Sequence, residues 1–405
     1  MTSDTTLFEQ YARLFGPGHL AQLQSLGHDI IEARREGAWV FDSEGRQYLD
    51  CLGGEGSYNL GRHQPQVAGE LCRQLEETDQ GNFPMISVEK ARLAQRLAAF
   101  AGNGLECSIF GVMRGETLDC ACKVARGVTG RSRLLAFEGG WYGETGFAMS
   151  LSRRRDANLY GTMIPDTGTI PVNDIEAARA AIDNTCAAVI VELMQAEHHC
   201  RAADPAYLKE LADLCREAGA LLIVDETQTG FGRCGRKLAF ETAGIAPDML
   251  LLGEALGGGM FPIAVTMLTQ RVNAFLNEHP MIHLSTFGGS DLGCTVAIKA
   301  LELYEELKPW EQAAHSGTML KEELEQLVSR TPLLSVSGEG LLLSLEFADE
   351  DRAREVCRAA RQHGILATVG RVRRNCVVLR PSLLITAGDV EFLLTGLSSA
   401  LQDIA

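Results

Sequence analysis

Residues 187–192, AAVIVE, and 220–236, ALLIVDETQTGFGRCGR, decide the fold. Each opens on a near-continuous apolar run, the pattern of a strand covered on both faces of a parallel sheet. Between them, Asp204-Pro205 predicts the start of a helix and Gly219 its end. The same alternation recurs on either side. Cys107–Met113 and Arg133–Glu138 read as strands with a helix over Thr117–Val128, and further strands are predicted at Asp248–Leu252 and Pro262–Leu268. Strands alternating with helices predict an α/β layer architecture. The ends of the chain differ. Residues 38–52 alternate around a turn and read as an antiparallel hairpin. After a long helix over Thr295–Leu307, GEGLLLSLEF (338–347) and NCVVLRPSLLIT (375–386) predict strands of a second sheet. The expected organisation is a large α/β domain over 56–295, with a small α+β domain built from 1–55 and 296–405.

Composition excludes several classes of function. At roughly 150 residues per domain, 405 residues predict two or three domains. Hydrophobic residues make up 46% and charged residues 22%, which is too apolar for disorder. The formal charge of −16 argues against nucleic acid or an anionic membrane surface as partner, since both need a basic footprint. No apolar run approaches the ~18 residues of a membrane span. The opening MTSDTTLFEQYARLFG lacks the basic and apolar regions of a secretory signal. Twelve scattered cysteines read as reduced thiols, so a cytoplasmic protein is expected. Cys120 and Cys122 fall two apart on a helix and point away from each other, so they form no redox pair. His198-His199-Cys200 beside Glu197 could begin a zinc site, but adjacent ligands rarely converge on one ion, and no metal is expected.

Ligands of open parallel sheets sit outside the carboxyl ends of the strands. Asp225 closes one strand, Gly139-Gly140-Trp141-Tyr142-Gly143 follows another, and Glu254-Ala-Leu-Gly-Gly-Gly follows a third. With GAWVFDSEGRQYLDCLGGEGSYNLGRHQP (37–65), GRSRLLAFEGGWYGET (130–145), APDMLLLGEALGGGMFPIAV (246–265) and HLSTFGGSDLGC (283–294), these stretches resemble the class III aminotransferases. Those are pyridoxal-phosphate (PLP) enzymes of fold type I, and the likeness is greatest to the ornithine aminotransferase branch. The resemblance covers nearly the whole chain. It implies a homodimer with active sites at the subunit interface.

Carried over residue by residue, the resemblance implies half a cofactor site. Asp225 matches the carboxylate that pairs with the PLP ring nitrogen, Gln228 the residue beside the ring's phenolic oxygen, and Trp141 the aromatic that stacks on the ring. Thr286 matches the threonine that reaches the phosphate of the neighbouring subunit. Glu192 falls on a position near the substrate. The other half departs from the family. Glu254 stands where the family carries its Schiff-base lysine, and a carboxylate cannot form an imine. Val112-Met113-Arg114-Gly115-Glu116 aligns with the phosphate loop, putting Arg114 on a glycine and leaving Gly115 as the small residue there. Tyr142 replaces a histidine. Ungapped alignment puts Val378 on the substrate-carboxylate arginine, with Arg380 two positions away. Two new opposite charges bordering one pocket suggest that Arg114 and Glu254 pair directly or through a ligand.

Three functions remain open at this point. The first is chemistry without a Lys–PLP aldimine on a small amino-acid-like or amine substrate in the former PLP pocket. There Glu254 and Asp225 would be catalytic, and Arg114, Tyr142, Glu192 and Arg380 would bind substrate. The second is a catalytically dead subunit that binds a partner. The third is a transaminase holding PLP or its aminated form, pyridoxamine phosphate, non-covalently through Trp141, Asp225, Gln228, Thr286 and Gly115.

Overall fold

The computed structural model describes residues 4–81, 85–152 and 157–404. Near the N-terminus, strands β1 (Glu32–Glu36), β2 (Trp39–Asp42) and β3 (Gln47–Asp50) form an antiparallel meander. The central strands follow: β4 (Leu105–Gly111), β5 (Arg133–Phe137), β6 (Thr167–Ile170) and β7 (Cys186–Val191). A short ribbon of β8 (Met194–Gln195) and β9 (Arg201–Ala202) separates them from β10 (Leu221–Asp225), β11 (Met249–Leu252) and β12 (Ala264–Thr269). The seven central strands lie in the order β4-β12-β11-β10-β7-β5-β6. Strands β7, β10 and β11 are buried at every position, which is why their sequences read as unbroken apolar runs.

The sheet is mixed. Strand β12 runs antiparallel to both β11 and β4. Its apolar run, AVTMLT, carries no mark of direction, because a strand covered on both faces looks the same either way round. The predicted helix between the first two central strands spans Arg114–Thr129, starting three residues earlier than expected. This difference brings Arg114 into the first turn.

In the C-terminal part, β13 (Ser335–Glu339), β14 (Leu342–Glu346), β16 (Thr368–Val369) and β17 (Cys376–Leu379) form an antiparallel sheet, while β15 (Ile365–Leu366) joins β3 in parallel. Leu26, Ala38, Leu49 and Cys51 share one apolar cluster with Leu343, Val356, Val377 and Leu397, so the two ends of the chain bury surface against each other. The helix Asp291–Leu307 packs Cys294, Val296, Leu301 and Tyr304 into the central core, across position 295. None of the twelve cysteines is paired with another. Among the described residues no helix is long and apolar enough to cross a membrane.

Candidate functional site

The carboxyl ends of β7, β10 and β11 and the start of the Arg114–Thr129 helix converge on a buried charge cluster. Asp225 ends β10, Glu192 follows β7, and Glu254 opens a single 3-10 turn two residues beyond β11. The Arg114 guanidinium lies between two of these acids: Nη2 donates to Glu192 Oε1 at 2.6 Å and to Asp225 Oδ2 at 3.2 Å. Arg114 is 5% exposed, and Glu192 and Asp225 are 2% and 1% exposed. Glu192 also accepts from the Trp141 amide, and Asp225 from the Thr227 amide.

The expected pairing of Arg114 with Glu254 is corrected here. Glu254 accepts from the backbone N–H of Arg114 at 3.3 Å, while the guanidinium turns to Glu192 and Asp225. An arginine in a dry site follows the deepest negative charge, and two acids outbid one. Burial alone would lower the Arg114 pKa, yet the charges of Asp225, Glu192 and Glu254 hold it above its ordinary value. Burial raises Glu254 above the usual carboxylate range and pushes Glu192 up to about 7, against the opposing pull of Arg114. The single guanidinium does not bring either Glu192 or Glu254 back to the ordinary carboxylate range.

A second buried arginine organises the neighbouring region. Arg380, just beyond β17, donates from Nη1 to Glu197 Oε1 at 2.6 Å and to Gln228 Oε1 at 2.8 Å. Burial would raise the Glu197 pKa, but Arg380 and the Arg371 backbone amide hold it below its usual value. Gly53 is required here: its φ is +57°, and a Cβ would come within 2.0 Å of the Arg380 carbonyl oxygen. This pair borders a cavity of about 1240 Å³ whose walls include Glu55, Glu138, Trp141, His198 and Arg371. The Arg371 guanidinium pairs with Glu55 and lies 5.1 Å from the centre of the Trp141 ring. Trp141 thus presents its ring at the cavity, where stacking is possible.

The expectation that Tyr142 binds substrate fails. Tyr142 is fully buried in the core, where its hydroxyl accepts from the Phe137 amide and donates to the Ile190 carbonyl, so it reaches no ligand. A Cβ on Gly140 would come 2.4 Å from that hydroxyl; the glycine pair lets the ring fold inward. Val378 packs with Met194, Cys200 and Leu342, and the position that borders the cavity is Arg380, as a two-residue gap in the alignment would give. Gly115 sits buried in the first helical turn, where a Cβ would meet the Thr145 hydroxyl at 2.7 Å. Thr286 is exposed and lines a separate small recess with Lys90 and Asp291, so a single chain does not bring it to the Asp225 cluster. His199 hydrogen-bonds Ser344 and Ser335 instead of a metal, and no metal-binding group occurs among the described residues.

Sequence reasoning overlooked Glu55, Arg371 and Thr145, and it weighed Glu197 only beside a possible metal site. Only Glu197 left a usable signal: an arginine beside a cavity wall needs a carboxylate, and Glu197 follows Glu192 in one loop.

Residues 24–401 match the class III aminotransferase family. The chain belongs to that family. An uncharacterized aminotransferase of Archaeoglobus fulgidus is 32% identical over 397 residues, covering 98% of this chain and 94% of that protein. Ornithine aminotransferase of Toxoplasma gondii superposes with a TM-score of 0.91 at 28% identity, covering 100% of this chain and 96% of the other. An amine transaminase from an uncultivated Pseudomonas species, solved in its PLP-bound internal aldimine form, gives a TM-score of 0.86 at 25% identity, covering 93% and 95%. The class III aminotransferases are PLP-dependent enzymes of fold type I, and this chain has their fold.

Proposed function

We propose that this class III aminotransferase-family protein binds a small amino-acid-like or amine ligand without a Lys–PLP aldimine. The observation that carries the reading is the Arg114 guanidinium seated on Asp225 and Glu192. A cation already fills the place where Asp225 would receive a ring nitrogen, so the residues present do not fit PLP. Glu254 stands at the lysine position of the resemblance, and none of the seven lysines belongs to the charge cluster. Lys123 reaches the Ile282 carbonyl, Lys237 pairs with Glu241, and Lys299 pairs with Glu302.

The ligand lies in the cavity between Trp141 and Arg380. Its walls carry both signs of charge: Arg371, Arg373, Arg374 and Arg380 against Glu55, Glu138, Glu197 and Glu350. Such a lining suits a zwitterion, whose carboxylate meets a guanidinium and whose ammonium meets a carboxylate. A second reading, turnover of that ligand by acid–base chemistry, is favoured by one observation. Glu254 has a raised pKa and lies within electrostatic reach of Glu55 on the cavity wall. The working unit in this proposal is a homodimer. Exposed Met281, Leu284 and Phe287 lie close to Thr286 along the chain and supply apolar surface for a second copy.

The test is intact-mass analysis after incubation with PLP and borohydride, alongside thermal-shift screening of amino acids, diamines and ω-amino acids. The expected result is no stoichiometric pyridoxyl adduct and stabilisation by one ligand class. An adduct mapped to one lysine overturns the reading.

A further inference from the structure

The charged groups on the wall of the large cavity are unequally partnered. Arg371 pairs with Glu55, Arg373 with Glu346, Arg374 with Glu350 and Arg380 with Glu197. Each of these guanidiniums already meets a carboxylate. Two ionisable groups of the wall stand outside this pairing. The carboxylate of Glu138, the residue after β5, has no hydrogen-bond or ion-pair partner among the described residues, although its backbone carbonyl accepts from Gln195 Nε2 at 2.8 Å. His198 is the second, an imidazole in no ion pair among the described residues.

Local geometry fixes the state of that imidazole. His198 lies in the turn of the β8–β9 ribbon, half-buried, with its ring against Gly139, the neighbour of Glu138. A Cβ on Gly139, whose φ is +80°, would come within 2.3 Å of Nδ1, so the turn after β5 is shaped around the ring. Gln195 joins the two residues. Because its Nε2 donates to the Glu138 carbonyl, its Oε1 faces His198 Nδ1 at 3.4 Å. Nδ1 therefore carries the proton, and Nε2 keeps a lone pair with no partner among the described residues. Burial, Arg373, Arg201 and His199 lower the His198 pKa against the opposing pull of Glu138, so the ring is neutral at about pH 7.

We propose that Glu138 and His198 form the amine-recognition end of the cavity, where a primary ammonium donates to the Glu138 carboxylate and to the lone pair of His198 Nε2. Both unpaired groups accept hydrogen bonds, and one carries negative charge, so together they select a cation. A carboxylate entering the same cavity must share a guanidinium that already holds an acid. The ammonium is thus the group the ligand needs, and a carboxylate at its far end is dispensable. That narrows the ligand class to primary amines. This inference rests on the reading that the cavity holds a small amino-acid-like or amine ligand, and it adds which end of that ligand is recognised and by which residues. A proton on Nε2 would turn His198 from an acceptor into a like charge and weaken binding.

The probes are n-pentylamine, pentanoate and 5-aminopentanoate, which share a chain length and differ in their charged ends. Calorimetric titration of the full chain at about pH 8 is expected to show both amines binding, and pentanoate binding about tenfold more weakly. Glu138→Gln keeps the size of an exposed side chain and removes its charge. It is expected to weaken both amines about tenfold, the scale of one charge-assisted hydrogen bond, and to leave pentanoate unchanged. His198→Asn keeps a donor toward Gln195 and loses the Nε2 acceptor. In wild type, amine binding should fall more steeply toward about pH 5.5 than in this variant, a readout that a merely structural histidine would not move. Four results each overturn the assignment: pentanoate binding as tightly as the amines, Glu138→Gln binding the amines as tightly as wild type, equal falls with pH in wild type and His198→Asn, and no binding of either amine. The functional reading fails on a covalent pyridoxyl adduct, which none of these titrations produces, so the two failures are distinguishable.

Discussion

Arg114 and Arg380 are both buried on carboxylates, and they are built differently. Arg114 lies on Glu192 and Asp225 inside the core, with two of its nitrogens unsatisfied. Arg380 lies on Glu197 and Gln228 at the wall of the large cavity. The first pair is enclosed by protein, so its strength comes from the low-dielectric surroundings that make an unpaired charge costly. The second is buried as well, 2% exposed with its Nε unpartnered, but it borders the cavity, so a ligand held there lies beside the pair. The contrast teaches that the same ion pair closes one site and opens another, according to what lies beside it.

The largest expected effect of breaking this contrast is at Arg114. Arg114→Ala leaves two acids facing each other in the core and should lower stability by about 3–5 kcal/mol in urea unfolding. Arg380→Met should cost less, about 1–3 kcal/mol, because Glu197 keeps the Arg371 amide as a donor. Equal losses at the two positions would erase the distinction. In ligand binding the order should reverse: Arg380→Met weakens the amino-acid-like ligand, and Glu192→Gln leaves it unchanged.

Glu254→Lys alone sharpens the comparison further. With Arg114 still on Asp225, this variant should stay colourless with PLP and show no transamination with common amino donors. A yellow, active variant would mean that Arg114 leaves the place beside Asp225 open.

How far the sequence reaches can be judged from these same residues. The continuous runs of β7 and β10 announced their burial, and Asp225 at the end of β10 announced a site. Direction was illegible in β12, since an apolar run is symmetric. The partners of Arg114 were illegible for another reason: Glu192 and Asp225 lie 78 and 111 residues away, and only the fold decides which of three acids a flexible side chain reaches. Tyr142 was misplaced because a Gly-Gly turn can send the next ring either inward or outward. Val378 and Arg380 could not be told apart because a two-residue gap leaves the alternating pattern of a strand unchanged, and only the structure shows that Arg380 lies just beyond the end of β17.

A smaller effect concerns pH. The Glu192 carboxyl is raised to about 7 in the folded chain from an ordinary value of 4.5, so the folded state binds more protons than the unfolded one across that window. Its contribution to stability is therefore full below pH ~4.5 and is lost as pH rises toward ~7. Glu226, also pushed to about 7 by burial, acts in the same direction. The check is the difference between wild type and Glu192→Gln in unfolding free energy against pH: the variant should decline less, and an unchanged slope would contradict a proton on Glu192. Smallest of all is Tyr142→Phe, which removes a hydroxyl bonded only to backbone. It should cost about 1 kcal/mol of stability and leave ligand binding untouched.

The central claim is that Arg114 fills the place where Asp225 would receive a ring nitrogen. A crystal structure of the wild-type protein grown with excess PLP tests it most directly. The account predicts the Arg114 guanidinium between Glu192 and Asp225, with no pyridine ring beside Asp225. A ring nitrogen within hydrogen-bond distance of Asp225, with Arg114 swung aside, would contradict it.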